Sequence, residues 1–526
     1  MKVYIAQKYE FMNRRIVFLF IVAATFLLCG CGNLQTLKEG VNYYFDSENG
    51  NDANNGLSEG QAWKNIDKIK DIRLAAGDSL LFCRGSVFSG ILEISVQGRS
   101  DCRFVVDAYG KGKKPCITAP DSSLYAVCIK NSDYVTLQNL EIINKGTERL
   151  AYRTGVKVVC ENYGTSHNVI LNALDIHDVN GSLVKNEGGG SGILIHNKWN
   201  KDSIVSVFDS LTIENCAIRR CERNAIIWSA PWSRKNWHLS TNTVVRKNLI
   251  EEVPGDGIVP IGCDGVLVEY NLMRNCTDLL PVDQAAAGIW PWSCDNTVIQ
   301  FNEVSDHKAP WDAQGFDSDY NCTNTTIQYN YSHHNEGGFI LICNAGKGET
   351  DPEDNIGNKG TIVRYNISIN DAVRTRKTRV GIFSPTIHIA GPCENTLIHN
   401  NILHANVKPA SHIDRKMVTA DSWGGYADNT TFTENVFYAP EASAFNLTKS
   451  TRNIFDGNYY LGSFAGKPED NQGHDASVYY SSLLEKDPEG FAALSHLFEE
   501  VEVGDGAATI KAVKKAAVHE FFEKMK

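Results

Sequence analysis

Asp317 and Asp319, in the segment QGFDSDY, are two carboxylates two residues apart, and the preceding segment AGIWPWS carries Trp290 and Trp292. In an extended strand such pairs share a face, with Cα atoms about 6.6 Å apart. Paired carboxylates beside aromatic platforms are what glycoside hydrolysis needs: one acid protonates the leaving oxygen while the other activates water or attacks the anomeric carbon. A spacing of about 6.6 Å suits inversion better than retention. Tryptophans at such a site stack on sugar faces and raise the pKa of the acid by desolvation.

Other polar side chains fall near this pair in the sequence. Lys308 and Asp312 lie in HKAPWDAQG, and His333, His334 and Glu336 lie in HHNEGG, which leads into the next strand. These loops are expected to deliver their side chains beside Asp317 and Asp319. His388 in SPTIHIA and His196 in SGILIH are expected on the same outer face, on later and earlier coils, as substrate contacts. A run of Arg374, Arg376, Lys377 and Arg379 reads either as a solvated loop or as a fork for a uronate carboxylate, with Arg376 the binding candidate.

Three readings stay open. A glycoside hydrolase built on Asp317 and Asp319 requires no cofactor. A polysaccharide lyase would instead use Lys308, His333 or Arg376 to abstract the proton α to a uronate carboxylate. In that case the acidic cluster, Asp312 included, would hold calcium, since oxygen-rich clusters suit that ion. A noncatalytic glycan-binding protein would tolerate substitution of both aspartates.

What positions these residues is periodic. A short β-prone phrase ending in Asn recurs nine times, among them LTIENCAI from Leu211, VLVEYNLM from Val266, TVIQFNEV from Thr297, TTIQYNYS from Thr325 and TLIHNNIL from Thr396. Asn215, Asn248, Asn271, Asn302, Asn330, Asn366, Asn401 and Asn435 are separated by 33, 23, 31, 28, 36, 35 and 34 residues. Irregular spacing around a fixed core excludes helical repeats and suits an all-β parallel β-helix whose turns tolerate loops. Cys263, Cys294, Cys322 and Cys393 each precede their Asn by eight residues, and Tyr270, Phe301, Tyr329 and Tyr365 by one, predicting a cysteine column and an aromatic ladder. A further strand in each coil opens with a small residue and presents outer pairs: Leu194 and His196, Trp290 and Trp292, Asp317 and Asp319, Ile340 and Ile342.

The ends read differently. Arg14 and Arg15, an apolar run from Ile16 to Leu28 and the ending Leu28-Cys29-Gly30-Cys31 form an export signal, and that ending resembles a bacterial lipobox in which Cys31 is acylated. Residues 1–31 are thus expected to be a lipoprotein signal and 32–40 a tether, followed by an N-terminal cap with the first coils (41–120), the β-helix (121–465) and a C-terminal cap (466–526). Trp63, Ile66, Ile69 and Ile72 predict an amphipathic capping helix, and GFAALSHLFEE with ATIKAVKKAAVHEFFEKMK predicts helices in the C-terminal cap. With 42% hydrophobic residues the chain can bury a large core, and a net charge of −11 argues against nucleic-acid binding. A solenoid of this kind is expected to be a monomer, touching a membrane only through its lipid.

The phrases NGNDANNG, AGDSLLF and AYGKGKKP, with the cap and coils that follow, resemble the start of secreted right-handed parallel β-helix proteins of Bacteroidetes, a pectate-lyase-like group rich in carbohydrate-active enzymes. The architecture is similar to that of β-helix glycosidases such as glycoside hydrolase family 141. The resemblance implies an exported protein at the outer membrane, cell surface or periplasm of a Gram-negative bacterium, acting on a polysaccharide or oligosaccharide.

Overall fold

Each Asn phrase folds as a short strand, a left-handed corner and a second strand. Leu267–Glu269 ends at Tyr270, whose φ is +55°, and Leu272–Arg274 leaves in a new direction. A third strand, opened by the small residue, completes each coil, so the small-residue strand is the third of its coil. The structure, a computed structural model, describes residues 40–200, 203–346, 353–377, 383–406, 414–487 and 489–526. Cys31, the signal and tether, and Arg379 lie outside the described residues.

Stacking these coils in parallel gives three long sheets and a right-handed parallel β-helix. The first sheet runs without interruption from Asn42–Phe45 to Ile454–Asp456. Its strands alternate, so the middle residue points inward: Val268, Ile299, Ile327, Val363, Ile398 and Phe432 are fully buried. Near the C-terminal end Val436–Asn446 joins two sheets, pairing at Val436 with Ile402 in the second and at Phe445 with Val418 in the third.

The corner explains both ladders. Tyr270, Phe301, Tyr329 and Tyr365 all take φ of +55° or +56°, a region that side chains other than glycine enter at a cost. Their rings stack at 5.0, 5.3 and 5.4 Å, and that stacking offsets the strain. The next residue is the buried Asn. Its Oδ1 accepts from the backbone N–H and the amide of the preceding coil's Asn, as from Asn302 to Asn330 at 3.0 Å each, and its amide donates back across the corner, as from Asn330 to the Ile299 carbonyl at 2.9 Å. The chain of bonds runs Asn248, Asn271, Asn302, Asn330, Asn366, Asn401, Asn435 and Asn458.

Asn215 does not belong to this column. Thr212 pairs with Val244 and Glu214 with Arg246, which puts Cys216 opposite Asn248, and the Cys216 N–H donates to Asn248 Oδ1 at 2.9 Å. Asn215 instead occupies the left-handed corner position and bonds Asn172. The expected cysteine column forms, with Cys263, Cys294, Cys322 and Cys393 all buried free thiols; Asn358 stands between the last two, opposite Cys393.

Both caps differ from the expected helices. Trp63, Ile66 and Ile69 are buried, but the turn Ile66–Asp71 is a 3₁₀ helix; apolar residues spaced by three match its three-residue period better than the 3.6 of an α-helix. Toward the C-terminus, Val478–Leu484 and Lys515–Met525 are α-helices, whereas Phe498–Val503 and Ala508–Val513 form an antiparallel hairpin. Val501 with Val503, and Ile510 with Ala512, flank single polar residues, the period of a strand. This segment packs along the flank of the second sheet, against Tyr331, Ile367, Ile402 and Val436 and, through Val503 and Ile510, against Leu249 and Leu272.

Candidate active site

The third sheet carries the acidic pair. Gln314–Ser318 pairs with Gly338–Cys343, which pairs with Phe383–Ala390 and then Asp414–Asp421. On its other side Ile289 bridges Phe316, which places Trp290 next to Asp317 and Trp292 next to Asp319. Beyond the pair the register differs from expectation. Gly338, at φ +131°, stands opposite Gln314, so Phe316 meets Ile340 and Asp317 meets Leu341. Ile340 and Ile342 therefore face the core, and Leu341 and Cys343 hold the outer positions. His388 continues the Asp317 column beside Leu341, and Asp421 continues the Asp319 column beside Ala390.

A loop folds a third carboxylate over these columns. Trp311–Asp312 pairs with Ala285–Ala286, and consecutive left-handed residues, Asp312 at +57° and Ala313 at +65°, turn the chain down into the acidic strand. Arg374, only 2% exposed, fixes this loop by donating to the carbonyls of Ala309 (3.0 Å), Pro310 (2.8 Å) and Asp312 (2.7 Å). Between loop and sheet lies a pocket of about 160 Å³ lined by Trp311, Asp312, Gln314, His388, Asp421 and Trp423, among others. Inside it His388 Nε2 meets Asp421 Oδ1 at 3.0 Å, with the Trp423 ring edge-on to the imidazole.

The three carboxylates differ in what they can do with a proton. Asp317 is 4% exposed, and burial together with Asp319 and Asp312 pushes its pKa well above the ordinary range; its Oδ1 has no hydrogen-bond partner. Burial and the nearby Asp319 raise Asp312 to about 6. Burial also raises Asp319, but it accepts from the Tyr320 N–H at 2.6 Å and from Cys343 Sγ at 3.1 Å, two donors that favour its anion. Asp312 and Asp319 are partly exposed, whereas Asp317 is closed over. Ligand atoms of Asp317, Asp319 and Cys343 all lie within 4.8 Å of one another, too close for the water of an inverting pair to stand between Asp317 and Asp319.

Behind the loop a buried ion pair supports the wall. Arg223 and Asp256 are both fully buried and bonded. Burial opposes the Asp256 charge, but the guanidinium prevails and keeps its pKa below the usual value. Asp256 Oδ1 accepts from the Ala287 N–H and from Trp290 Nε1, each at 3.1 Å, and Arg223 donates to the Ala285 carbonyl, so the pair holds the short strand on which Trp311–Asp312 rests.

Several expected neighbours lie elsewhere. His333 and His334 stand on the second sheet under the C-terminal segment: His333 bonds Glu303 at 3.2 Å, and His334 stacks on Phe491 at 5.5 Å. The strand Tyr331–His333 ends before the coil turns toward the third sheet, which separates both from Asp317. Glu336 pairs with Arg376 at 3.5 Å. Arg376 also bonds Asp278 and the Lys308 carbonyl, so its guanidinium is engaged with the protein's own groups. Trp290 is buried beneath Lys185, whose ammonium sits 5.1 Å from the ring, and so offers no sugar platform. Trp292 stacks on Trp232 at 5.4 Å. His196 bonds Ser229 in the Asp319 column, with two coils between Ser229 and Asp319. His388 is in the pocket. Gln314, Asp421, Trp423 and Cys343 complete the site without having been singled out, and Arg374 enters in a role other than the one expected of it.

The coils and the third-sheet pocket define a parallel β-helix protein with a pocket lined by carboxylates, histidine and tryptophans. No family model matches the chain. A lacto-N-biosidase of Bifidobacterium longum subsp. longum is 27% identical over a 577-residue alignment that takes in 92% of this chain and 33% of that protein, so the chain spans about a third of the relative's length. The crystal structure of a GH136 lacto-N-biosidase from Eubacterium ramulus superimposes with a TM-score of 0.57 at 26% identity, covering 72% of this chain and 67% of that one. Its selenomethionine derivative gives the same TM-score and identity, with 73% and 68% covered.

Proposed function

We propose that this chain is a glycoside hydrolase that degrades oligosaccharides, with Asp312 as proton donor and Asp319 as nucleophile or base. One observation carries the reading: burial raises both partly exposed carboxylates, but only Asp319 has donors that favour its anion. Asp312, raised to about 6, accepts no hydrogen bond among the described residues that would hold its anion, while Asp319 is served by the Tyr320 N–H and Cys343. That division is the one glycosidic cleavage needs. The charge of Asp319, with burial, holds the proton on Asp312.

In the proposed reaction a sugar enters against Trp311 and Trp423, and His388 and Asp421 bond its hydroxyl groups. Asp312 protonates the leaving oxygen as the glycosidic bond breaks, and Asp319 meets the positive charge that grows at the anomeric carbon. Kinship with the Bifidobacterium and Eubacterium lacto-N-biosidases supports a lacto-N-bioside as the first substrate to try. The lyase reading is left with Lys308 as its base, because Arg376 is paired with carboxylates and His333 is bonded to Glu303 on the second sheet. A calcium role for the acidic cluster is also weakened, since a thiol is a poor ligand for that ion. The reading keeps the export signal, with Cys31 as the acylated residue placing the enzyme outside the cytoplasm.

The test is to incubate the protein lacking residues 1–32 with lacto-N-biosides and with neutral and uronate-containing glycans, recording reducing ends and ultraviolet absorbance together. New reducing ends without absorbance support the hydrolase. Growth of absorbance from a new double bond would move the assignment to a lyase, and silence in both channels would leave a glycan-binding protein.

A further inference from the structure

We propose that Asp317, Asp319 and Cys343 form a site for one soft divalent cation, zinc or its analogues cobalt and cadmium, and that its occupancy shuts the pocket off. The binding half of this proposal stands on geometry alone; the inhibitory half rests on the hydrolase reading.

Two adjacent strands supply the three donors, and the chosen atoms lie within 4.8 Å of one another. Among the described residues no other set of three His, Cys, Asp or Glu donors comes together in this way. A second, independent observation points to a ligand. Asp317 is 96% removed from solvent, yet its Oδ1 lacks any hydrogen-bond partner, and its carboxylate belongs to this cluster. A buried oxygen left without a partner carries a desolvation cost that a bound cation would remove.

The donor chemistry selects the ion. Two carboxylate oxygens and one sulfur are three protein ligands, the number at which zinc keeps a fourth position open for water or substrate. Sulfur excludes a preference for calcium or magnesium, which take oxygen. The fourth position would face Asp319's partly exposed side. On binding, one metal–sulfur and two metal–oxygen bonds form, and the Cys343 thiol proton, with any proton on the carboxylates, passes to solvent. Asp319 then has its lone pairs committed to the metal and cannot meet the anomeric carbon.

The experiment titrates the protein with cobalt and zinc in the absence of any glycan, reading stoichiometry by calorimetry and the near-ultraviolet thiolate-to-cobalt charge-transfer band. One ion per chain is expected, with a band that Cys343→Ser abolishes and an affinity that this variant lowers by about 10–100-fold or more. Asp317→Asn leaves every cysteine in place and is the second variant; it should weaken binding while retaining the band. No band in the wild type, or a band unchanged in Cys343→Ser that would assign it to one of the other twelve described thiols, overturns the site. Zinc that binds with these signatures but leaves glycan cleavage unchanged overturns the inhibitory half. A protein that cleaves no glycan at all refutes the hydrolase reading while the metal titration still decides the site.

Discussion

The guanidinium of Arg374 donates to the backbone carbonyl of Asp312 at 2.7 Å. The same side chain holds Ala309 and Pro310 by their carbonyls, so one buried arginine fixes the loop that carries the proposed proton donor. The loop needs such an anchor because Asp312 and Ala313 are both left-handed, a conformation two L-residues do not keep unaided.

Arg374→Lys keeps the charge but cannot span three carbonyls. Misplacing a reacting group by about 1 Å costs about 100-fold, and a loss of that order in kcat, with a smaller change in KM, is expected for this variant. Steady-state kinetics beside thermal denaturation would separate a displaced Asp312 from general unfolding; an unchanged kcat in a folded variant would remove Arg374 from the argument.

Asp312→Asn and Asp319→Asn should fail differently. Losing a general acid costs about 10²–10⁴-fold, but only for leaving groups that need a proton. Asp312→Asn should therefore recover much of its rate on an aryl glycoside with an acidic phenol, whereas Asp319→Asn should remain inactive on both substrates. Equal losses on both substrates for Asp312→Asn would contradict its role as proton donor.

The fold was legible because the corner leaves the same mark in every coil. An aromatic residue that must stack and an Asn that must bond its neighbours recur wherever the chain turns, whatever the loops do between. The slip at Asn215 shows the limit: there Cys216 takes the inner corner position, and an Asn one residue away mimics the signature. The acidic pair was legible from alternation alone, but its neighbours were not. Register was lost at Gly338, where an extra small residue shifts the strand by one, and Asp421 and Trp423 follow an insertion that breaks the spacing. Arg374 read as part of a charged, exposed run because its partners, 62 to 65 residues back in sequence, leave no local pattern.

The pH profile follows from Asp312. A proton donor must be protonated, and burial with the nearby Asp319 charge raises its pKa to about 6. The rate should fall as pH rises through about 6, and Asp312→Asn should lose this alkaline limb on an activated aryl glycoside. A limb that persists at the same pH in that variant would assign the titration to another group.

Asp371 offers a stability test remote from the pocket. It stands in a second column, accepting from the Asn335 N–H and amide at 3.0 and 2.9 Å and from Ser368 Oγ at 2.7 Å, and burial raises its pKa to about 6. Because the folded state holds its proton to a higher pH than the unfolded chain does, this group's contribution is fully present below about pH 4. It is lost as pH rises toward about 6. Asp371→Asn supplies the same acceptor without charge, and should stabilise the protein by about 1–3 kcal/mol at pH 7 and by little near pH 4. Denaturant melts at the two pH values would show it, and an equal effect at both would rule out the buried charge as the cause.

The Asn column should be costly to interrupt at any pH. Asn330→Leu strands two buried backbone groups, the Asn302 N–H that now donates to Asn330 Oδ1 and the Ile299 carbonyl that accepts from its amide. Each unsatisfied group costs about 1–3 kcal/mol, and a loss of about 2–5 kcal/mol is expected despite the added apolar volume. The hydroxyl of Thr326, one coil strand away and half-buried on the outer face, touches none of these groups, so Thr326→Ala should change stability far less. Comparable losses in the two variants would mean that the column contributes no more than ordinary strand packing, and the argument that Asn sets the register of the coils would fail with it.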